Sequence, residues 1–447
     1  MKKKVLAVSA ACALTAATAV PALALENEFH GMFRVKGTIS NFDDSGTGRA
    51  TVANGVLSDN AKTKNFVDQR ARIMYIAKAN DDLKLVTHFE VDSQWGDNSY
   101  AVGRNDGGSI GADQVNIETK NIYLDFNIPA VPVNMKVGIQ PFTDAYKGIY
   151  VNTDMAGALA TARYGNFTNA LGWFRLDDRK DTVNTAGVHS PAFSSGKDTR
   201  DIIVLDSKYA LNKDVKLGGS YYLYNDDKSA YATDSTKSFN DIIHTVGLNA
   251  EANLGAVIVD GFALYQFGNL NDTRHLSAWA ANVGARGKLG IGTLRAQFLY
   301  TSGDTRTNGT SNSFVPVINH TSGADAENTF YPADMRLILR DKWGTTDDRA
   351  IVYNSDNGGE GLFGGFVGYD ANLTSKVFAN ANAGFVAAAK TNKANNYMGT
   401  EVNAEIGYKL YDNMTASIQG AYVFLGDYYD NSLDDPYLSR IVLNYAF

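Results

Sequence analysis

Apolar and polar residues alternate along many segments of this chain, and this period of two constrains its fold more than any other feature. In the first such segment, Phe29, Phe33 and Val35 alternate with Arg34 and Lys36. Successive side chains of a β-strand point to opposite faces, so the pattern predicts strands with one apolar and one charged face. It recurs at 67–79, 83–92, 133–140, 215–224, 281–289, 294–301, 402–410 and 437–447. These lengths are close to the roughly ten residues of a tilted membrane-crossing strand.

The strands are expected to close into a barrel. After residue 25 no apolar run is long enough to cross a bilayer as a helix, and helical spacing does not recur. Within hydrocarbon every backbone group must be paired, so a sheet that crosses a membrane has to close on itself. The apolar face then contacts lipid, and the charged face lines a wet interior. The predicted fold class is all-β, a closed antiparallel transmembrane β-barrel.

The connections between the segments alternate between short turns and long polar loops, as in outer-membrane barrels. The short turns lie at 80–82, 128–132, 166–169, 211–214, 253–256, 290–292, 372–375 and 411–413. The long loops lie near 41–65, 93–114, 141–156, 177–200, 225–241, 268–277, 302–360, 389–400 and 426–436. Eight turns joining sixteen strands, with one further strand at each end, predict eighteen strands, and sixteen is the rival count.

The first 24 residues have the pattern of a secretory signal peptide. Lys2–Lys4 precede an apolar run that ends at Pro21, and Ala22–Ala24 offers small residues for cleavage. A lipoprotein leader processed at Cys12 is the rival interpretation. The favoured division is a signal peptide over 1–24 and a barrel domain over 25–447.

Composition argues against several function classes. Cys12 is the only cysteine, so the barrel domain has no thiolate for a disulfide or a metal. The six histidines form no pair at metal-ligand spacing, and no nucleophile elbow is present. We therefore expect no cofactor, no metal and no enzymatic activity. The net charge of −7 becomes more acidic without the leader, which argues against nucleic-acid binding.

Two motifs have competing interpretations. Gly359-x-Gly361-x-x-Gly364 matches a dinucleotide-binding fingerprint by its letters, but no βαβ pattern surrounds it, so a loop and strand are expected instead. Asn354–Glu360 is rich in oxygen ligands that suit calcium, although an acidic turn is the favoured interpretation.

The C-terminal segment 437–447 predicts a final strand with a terminal aromatic residue. Leu443, Tyr445 and Phe447 share its apolar face. This resembles the signal by which the barrel-assembly machinery recognises outer-membrane proteins. An ordinary edge strand that ends in phenylalanine is the alternative. A closed barrel requires this strand to pair with 29–39.

The segments Asp68–Ile73, Leu83–Asp92 and Lys136–Pro141 carry a more specific resemblance. They are similar to segments of Gram-negative outer-membrane porins, in particular those of sulfate- and metal-reducing bacteria. The resemblance implies a location in the outer membrane, contact with its lipid and lipopolysaccharide, and a homotrimer.

A barrel of sixteen to eighteen strands leaves an aqueous channel. The charged faces of the predicted strands then supply the candidate pore-lining residues, which are Arg34, Lys36, Asp68, Arg70, Arg72, Lys84, Glu90, Asp92, Asp125, Lys136, Arg286 and Arg295. Such charges select among permeants. The candidate constriction loop is Phe142–Gly157, with Asp144, Lys147 and Asp154. The segment 302–360 is the rival plug, with Arg336, Arg340, Lys342 and Trp343.

The leading expectation is a water-filled channel for passive diffusion of small hydrophilic solutes and ions. The alternative is a substrate-specific channel for a sugar or an organic acid, in which Tyr222, Tyr224 and Tyr265 would supply a stacking path. An outer-membrane enzyme would need a catalytic cluster that the sequence does not indicate.

Overall fold

The computed structural model describes residues 25–42, 50–52, 55–98, 107–109, 115–178, 181–183, 189–191, 199–227, 240–270, 274–306, 309–317, 328–346 and 349–447. The predicted signal peptide, including Cys12, lies outside the described residues. Across these ranges no helix is long and apolar enough to span a membrane.

Eighteen strands of the described chain form a single antiparallel sheet. Numbered along the chain with the short strands of the loops, they are β1 (Glu26–Ser40), β4 (Lys64–Asn80), β5 (Leu83–Gln94), β6 (Glu118–Asn127), β7 (Val133–Thr143), β8 (Asn152–Tyr164), β9 (Phe167–Asp178), β12 (Thr199–Ala210), β13 (Val215–Asp227), β14 (Asn240–Asn253), β15 (Val257–Leu270), β16 (Arg274–Leu289), β17 (Gly292–Thr301), β18 (Leu362–Asn372), β19 (Val377–Ala388), β20 (Tyr397–Tyr411), β21 (Met414–Leu425) and β22 (Tyr437–Ala446). Two small hairpins lie in the loops, β2 (Ala50–Val52) with β3 (Gly55–Leu57) and β10 (Asp181–Val183) with β11 (His189–Pro191). Two 3₁₀ turns, Tyr331–Ala333 and Asn357–Gly359, lie between β17 and β18.

The sheet closes through its first and last strands. β1 pairs with β4 on one side and with β22 on the other. The seam runs from Met32↔Ala446 to Ser40↔Leu438 and is extended by two backbone bonds of 2.8 and 3.0 Å between Gly31 and Phe447. The predicted pairing of the final strand with 29–39 is therefore confirmed, and the sheet has no free edge at this seam.

All eight predicted short turns are found, each joining two neighbouring strands of the barrel. The prediction of eighteen strands is confirmed, and the rival count of sixteen is wrong. We call the end of the barrel with these turns the turn end and the opposite end the loop end. The four hairpin strands in the loops were not predicted.

The two faces of the wall have the predicted character. On β1, Phe29 and Ile39 are exposed on the outer surface, whereas Arg34 and Lys36 are buried on the inner side. The same division holds along β20, where Val402 and Ile406 are exposed and Glu401, Asn403 and Glu405 are buried. An apolar outer face and a polar inner face are typical of a transmembrane barrel rather than of a soluble sandwich.

Two loops at the loop end contribute many of the buried apolar residues. In the inner loop (144–151), Tyr146, Ile149, Tyr150 and Val151 are buried. In the long loop (302–361), 335–340 and 350–353 are buried. The described parts of both loops therefore fold into the barrel and fill part of its interior.

Candidate functional site: the barrel interior

The structure places all twelve predicted pore-lining residues on the inner face of the wall. Neighbouring strands bring several of them opposite one another in register: Lys36↔Asp68, Arg34↔Arg70, Arg70↔Asp92, Arg72↔Glu90, Lys84↔Asp125, Asp125↔Lys136 and Arg286↔Arg295. Directly opposed side chains on one face of a sheet are close enough to interact. The inner wall therefore carries charged residues that face one another across neighbouring strands.

Only some of these charged side chains are exposed to water. Lys36 and Asp68 are 0% exposed and lie 3.4 Å apart. Arg34 is buried against the long loop, where its Nη2 donates to Gly344 O at 2.9 Å and to Thr345 Oγ1 at 3.1 Å. Its guanidinium also stacks on Trp343 at 5.4 Å. Arg34 and Asp68 thus contact the long loop, and none of the three buried side chains lines an open path.

The cations of β4 and β5 form cross-strand ion pairs. Arg70 Nη2 lies 2.5 Å from Asp92, and Arg72 is ion-paired with Glu90. Nearer the turn end, Lys84 lies 3.5 Å from Asp125. Because each acid is more buried than its cation, the cations project further into the interior.

One carboxylate organises the inner loop. Asp144 Oδ1 accepts bonds from the backbone N–H groups of Tyr146 and Gly148, at 2.7 and 2.8 Å. Its Oδ2 accepts from Tyr150 and Val151 at 2.8 and 2.7 Å. Burial raises the pKa of Asp144 to about 6, and the four donors, which favour the carboxylate, oppose that rise.

Aromatic packing holds the inner loop against the wall. Tyr150 stacks on Tyr222 of β13 at 5.4 Å, and the Tyr146 hydroxyl lies 2.5 Å from Ser220 Oγ. Tyr222 and Tyr224 are only 0% and 4% exposed. The predicted stacking path is thus wrong for these two tyrosines, because the loop and wall cover their rings. It is wrong for Tyr265 as well, which faces outward and contacts Trp279 at 4.4 Å.

Lys147 crosses from the inner loop to the opposite wall. Its backbone has φ of 63°, which turns the loop at this point. Its Nζ donates to Asn282 at 2.7 Å and to Gln297 at 2.9 Å, and pairs with Asp260. Burial lowers the pKa of Lys147. The prediction that Asp144 and Lys147 belong to a loop inside the barrel agrees with this geometry.

Asp154 has a different position from the one expected. It lies in β8, outside the inner loop, in register with the exposed Pro141. Lys120 Nζ donates to it at 2.6 Å and Asn121 Nδ2 at 2.7 Å. Assigning it to the constriction loop was wrong, because β8 begins earlier than the sequence pattern indicated.

The long loop is fastened to the wall by buried charges, of which the sequence had singled out Arg336 but not Glu401, Asp341 or Arg440. Glu401 accepts bonds from the backbone N–H groups of Arg336, Leu337 and Ile338, at 2.8, 2.9 and 2.8 Å. Arg336 Nη1 donates to Gln419 at 2.9 Å, and Arg440 pairs with Asp341 at 2.5 Å. The alternation of β20 was the available signal, since Glu401 falls on the same face as Glu405.

The inner and long loops are bonded to each other. Val317 N donates to Tyr150 O at 2.8 Å, and Ser355 Oγ donates to Ile149 O at 2.6 Å. Lys147 also lies over the Phe330 ring at 5.9 Å. The two rival predictions, a constriction by the inner loop or a plug by the long loop, therefore describe one joint assembly.

Beside this assembly lies a cavity of about 660 Å³, and its lining extends to residues beside the short turns. Lys147, Arg286, Arg295, Asp260 and Glu251 contribute to its lining. Arg286 is 41% exposed and Lys147 22%, whereas their shared partner Asp260 is 11% exposed. Lys342 is 45% exposed and its partner Asp334 is 8% exposed. The pair of Arg295 and Asp370 is an exception, because the Asp370 side chain is 47% exposed and the Arg295 side chain 21%. In most of these ion pairs the cation is thus more exposed than the acid.

Asn354–Glu360 forms a turn whose groups are largely used within the protein. Glu360 accepts from the hydroxyls of Thr391 and Tyr428, at 2.9 and 2.7 Å. Burial raises the pKa of Asp356 to about 6, which disfavours the charged form that calcium needs. The geometry agrees with an acidic turn.

No family model matches the chain, and no curated protein matches it significantly. Several solved structures do match the chain. OccAB4 of Acinetobacter baumannii is similar at 13% identity, covering 94% of this chain and 98% of that one, with a TM-score of 0.55. The outer membrane protein opdK of Pseudomonas aeruginosa is similar at 10% identity, with the same coverage and a TM-score of 0.54.

The chain has the fold of an outer-membrane channel. OccK2 (OpdF) of Pseudomonas aeruginosa, solved in complex with glucuronate, is also similar, at 10% identity over 94% of this chain and 98% of that one, with a TM-score of 0.55. At these identities the likeness is one of porin-like architecture, an eighteen-strand barrel, and it transfers no individual residue.

Proposed function

We propose that the protein is an outer-membrane porin that forms a water-filled channel for passive diffusion of small hydrophilic solutes and ions. The observation that carries this proposal is the cavity beside the inner and long loops, which has several charged lining residues and is enclosed by a barrel whose outer face is apolar. Barrels of this strand number leave an aqueous interior. No catalytic step is part of the proposal.

The exposed cations favour anionic solutes. Lys147, Arg286 and Lys342 each reach water further than the acids paired with them. Fixed charges that line a narrow channel select permeating solutes by the sign of the solute's charge. The alternative function is a substrate-specific channel for an organic acid or an acidic sugar. The structure of OccK2 in complex with glucuronate supports that alternative for a barrel of similar architecture.

Planar-bilayer recording of the purified protein tests both functions. We expect ohmic current steps in KCl and a reversal potential of the sign for chloride preference in a salt gradient. Arg286→Gln should shift that potential towards zero, whereas Lys213→Gln in the exposed turn 211–214, outside the cavity lining, should leave it unchanged. Saturable block by glucuronate, absent with glucose, would favour the specific channel. A folded barrel without conductance would refute both.

The remaining expectations belong to the same proposal. We infer that 1–24 is removed during export, which the N-terminal mass of the mature protein tests. The C-terminal strand is proposed to engage the barrel-assembly machinery through Leu443, Tyr445 and Phe447, so Phe447→Ala should reduce the amount of folded barrel in the membrane. A homotrimer in contact with lipopolysaccharide, as the resemblance to porins of sulfate- and metal-reducing bacteria implies, is tested by the mass of the complex in native lipid.

A further inference from the structure

The barrel wall is only partly hydrogen-bonded between β6 and β7. These strands pair over six residues, from Ile122↔Ile139 to Asn127↔Asn134. In the other seams of the sheet the paired stretch is at least eight residues long. Towards the loop end, 118–121 continues to pair with β5 and 140–143 with β8. We call the gap between these two stretches the β6–β7 split.

The amino-acid sequence builds this split. Pro141 has no backbone N–H, so β7 cannot continue a full ladder through it. Gly138 has φ of 133°, and a Cβ there would lie 2.3 Å from Ile122 O. A glycine is therefore needed where the two strands begin to diverge.

A cavity of about 440 Å³ lies at the split, and residues from both faces of the wall line it. Its inner lining includes Arg72 and Glu90, which face the barrel interior. Its outer lining includes Ile139, Pro141 and Thr143, which lie on the exposed face of β7. The inner end of the lining is thus charged, whereas the outer end combines the apolar Ile139 and Pro141 with polar side chains, among them Thr143, Asn152 and Asp154.

Side chains bridge the split where the backbone does not. Lys120 and Asn121 of β6 both donate to Asp154 of β8, at 2.6 and 2.7 Å. The side chains of Lys120 and Asp154 are 25% and 22% exposed, so water can compete for this ion pair. Rotamer changes of such side chains are fast, and they leave the paired part of the wall intact.

The split lies in the half of the barrel near the loops. At about 3.3 Å per residue and a tilt near 45°, six paired residues rise about 14 Å, roughly half of the hydrocarbon thickness. In an outer-membrane barrel the long loops are extracellular, so the split is at the level of the outer leaflet.

We propose that the β6–β7 split is a side entrance through which a single-chain amphiphile with a charged head group passes between the outer leaflet and the channel interior. The proposal rests on the channel function proposed above. The head group lies against the charged inner end beside Arg72, and the alkyl chain lies along Ile139 and Pro141. The Lys120–Asp154 bridge is the gate.

Thiol labelling in lipid nanodiscs tests this proposal. With Cys12 removed with the leader, Arg72→Cys introduces a single thiol at the inner end of the split, and Glu118→Cys is a second reporter should the first variant fold poorly. Two reagents are compared: N-dodecylmaleimide, which partitions into lipid, and a sulfonated maleimide, which stays in water. A heat-dependent gel shift verifies that each variant has a folded barrel.

We expect Thr143→Trp, which fills the outer mouth, to slow labelling by the alkyl reagent by about tenfold, a barrier of about 1.4 kcal/mol. Asp154→Ala, which removes the bridge, should accelerate the same reaction. The sulfonated reagent should react at an unchanged rate in both backgrounds. The matched control is Ala158→Trp, on the outer face of the same wall but outside the cavity lining.

The outcomes separate the two proposals. If Thr143→Trp leaves alkyl labelling unchanged, or slows both reagents equally, the side entrance is refuted. If the sulfonated reagent fails to react in a folded barrel, the interior is closed to water and the channel function itself fails.

Discussion

Replacing Asp144 by asparagine tests whether the inner loop owes its conformation to one buried carboxylate. Both carboxylate oxygens are used, each accepting two backbone N–H groups of the loop. In Asp144→Asn one oxygen becomes an amide nitrogen, which is itself a donor. Two buried N–H groups then lose their acceptor.

The cost follows from that count. A buried donor left without a partner costs about 1–3 kcal/mol, so the variant should destabilise the closed loop by about 2–6 kcal/mol. Since about 1.4 kcal/mol is a factor of ten, the population of displaced loop should rise at least tenfold. The barrel strands do not depend on these bonds and should stay folded.

Single-channel recording is the assay. We expect Asp144→Asn to show larger current steps and more open-channel noise, because a displaced loop no longer fills the space between β13 and β16. The matched control is Asp214→Asn in a turn at the opposite end, where the carboxylate accepts one long bond of 3.4 Å. Equal conductance and noise in the wild type and Asp144→Asn, with a folded barrel, would show that packing of Tyr146 and Tyr150 alone holds the loop.

Two further predictions concern the same assembly. Glu401→Gln should loosen the long loop by a similar route, since the Glu401 carboxylate accepts three N–H groups of 336–338. Larger neutral solutes should then enter proteoliposomes in a swelling assay. An unchanged size limit would contradict this role of Glu401. Burial lowers the pKa of Lys147, so its charge is lost as the pH rises through a value below the usual lysine range. Chloride preference should therefore weaken at a pH below the ordinary range of lysine titration, and Lys147→Arg, which stays charged, should abolish that weakening. A reversal potential with the same pH dependence in both proteins would count against Lys147.

Much of the barrel could be predicted because its signals are local. Alternation in 29–39 or 402–410 depends on the pleat of a single strand, and turn length depends on a few residues such as 80–82. Register then follows, because a slip of one residue would expose a charged face to lipid. For this reason the strand number, the closing seam and the inward direction of the charges agreed with prediction.

The interior could not be predicted in the same way. Whether Arg34 lines a path or anchors a loop depends on Gly344, which is 310 residues away in the sequence. Asp144 and Lys147 were found from their position after a polar strand, but Asp154 and Tyr265 were misplaced, because the start of β8 and the outward side of β15 depend on pairing with neighbouring strands.

By itself, then, the sequence determined the wall: period two, short turns and a terminal aromatic strand require a closed barrel with a charged interior. The tertiary structure alone decided which charges meet water. The inner loop and the long loop fold into the barrel, and their backbone N–H groups donate to the carboxylates of Asp144 and Glu401. The physical reason is that strand pattern is encoded every second residue, whereas burial of a charge depends on groups brought together from distant parts of the chain.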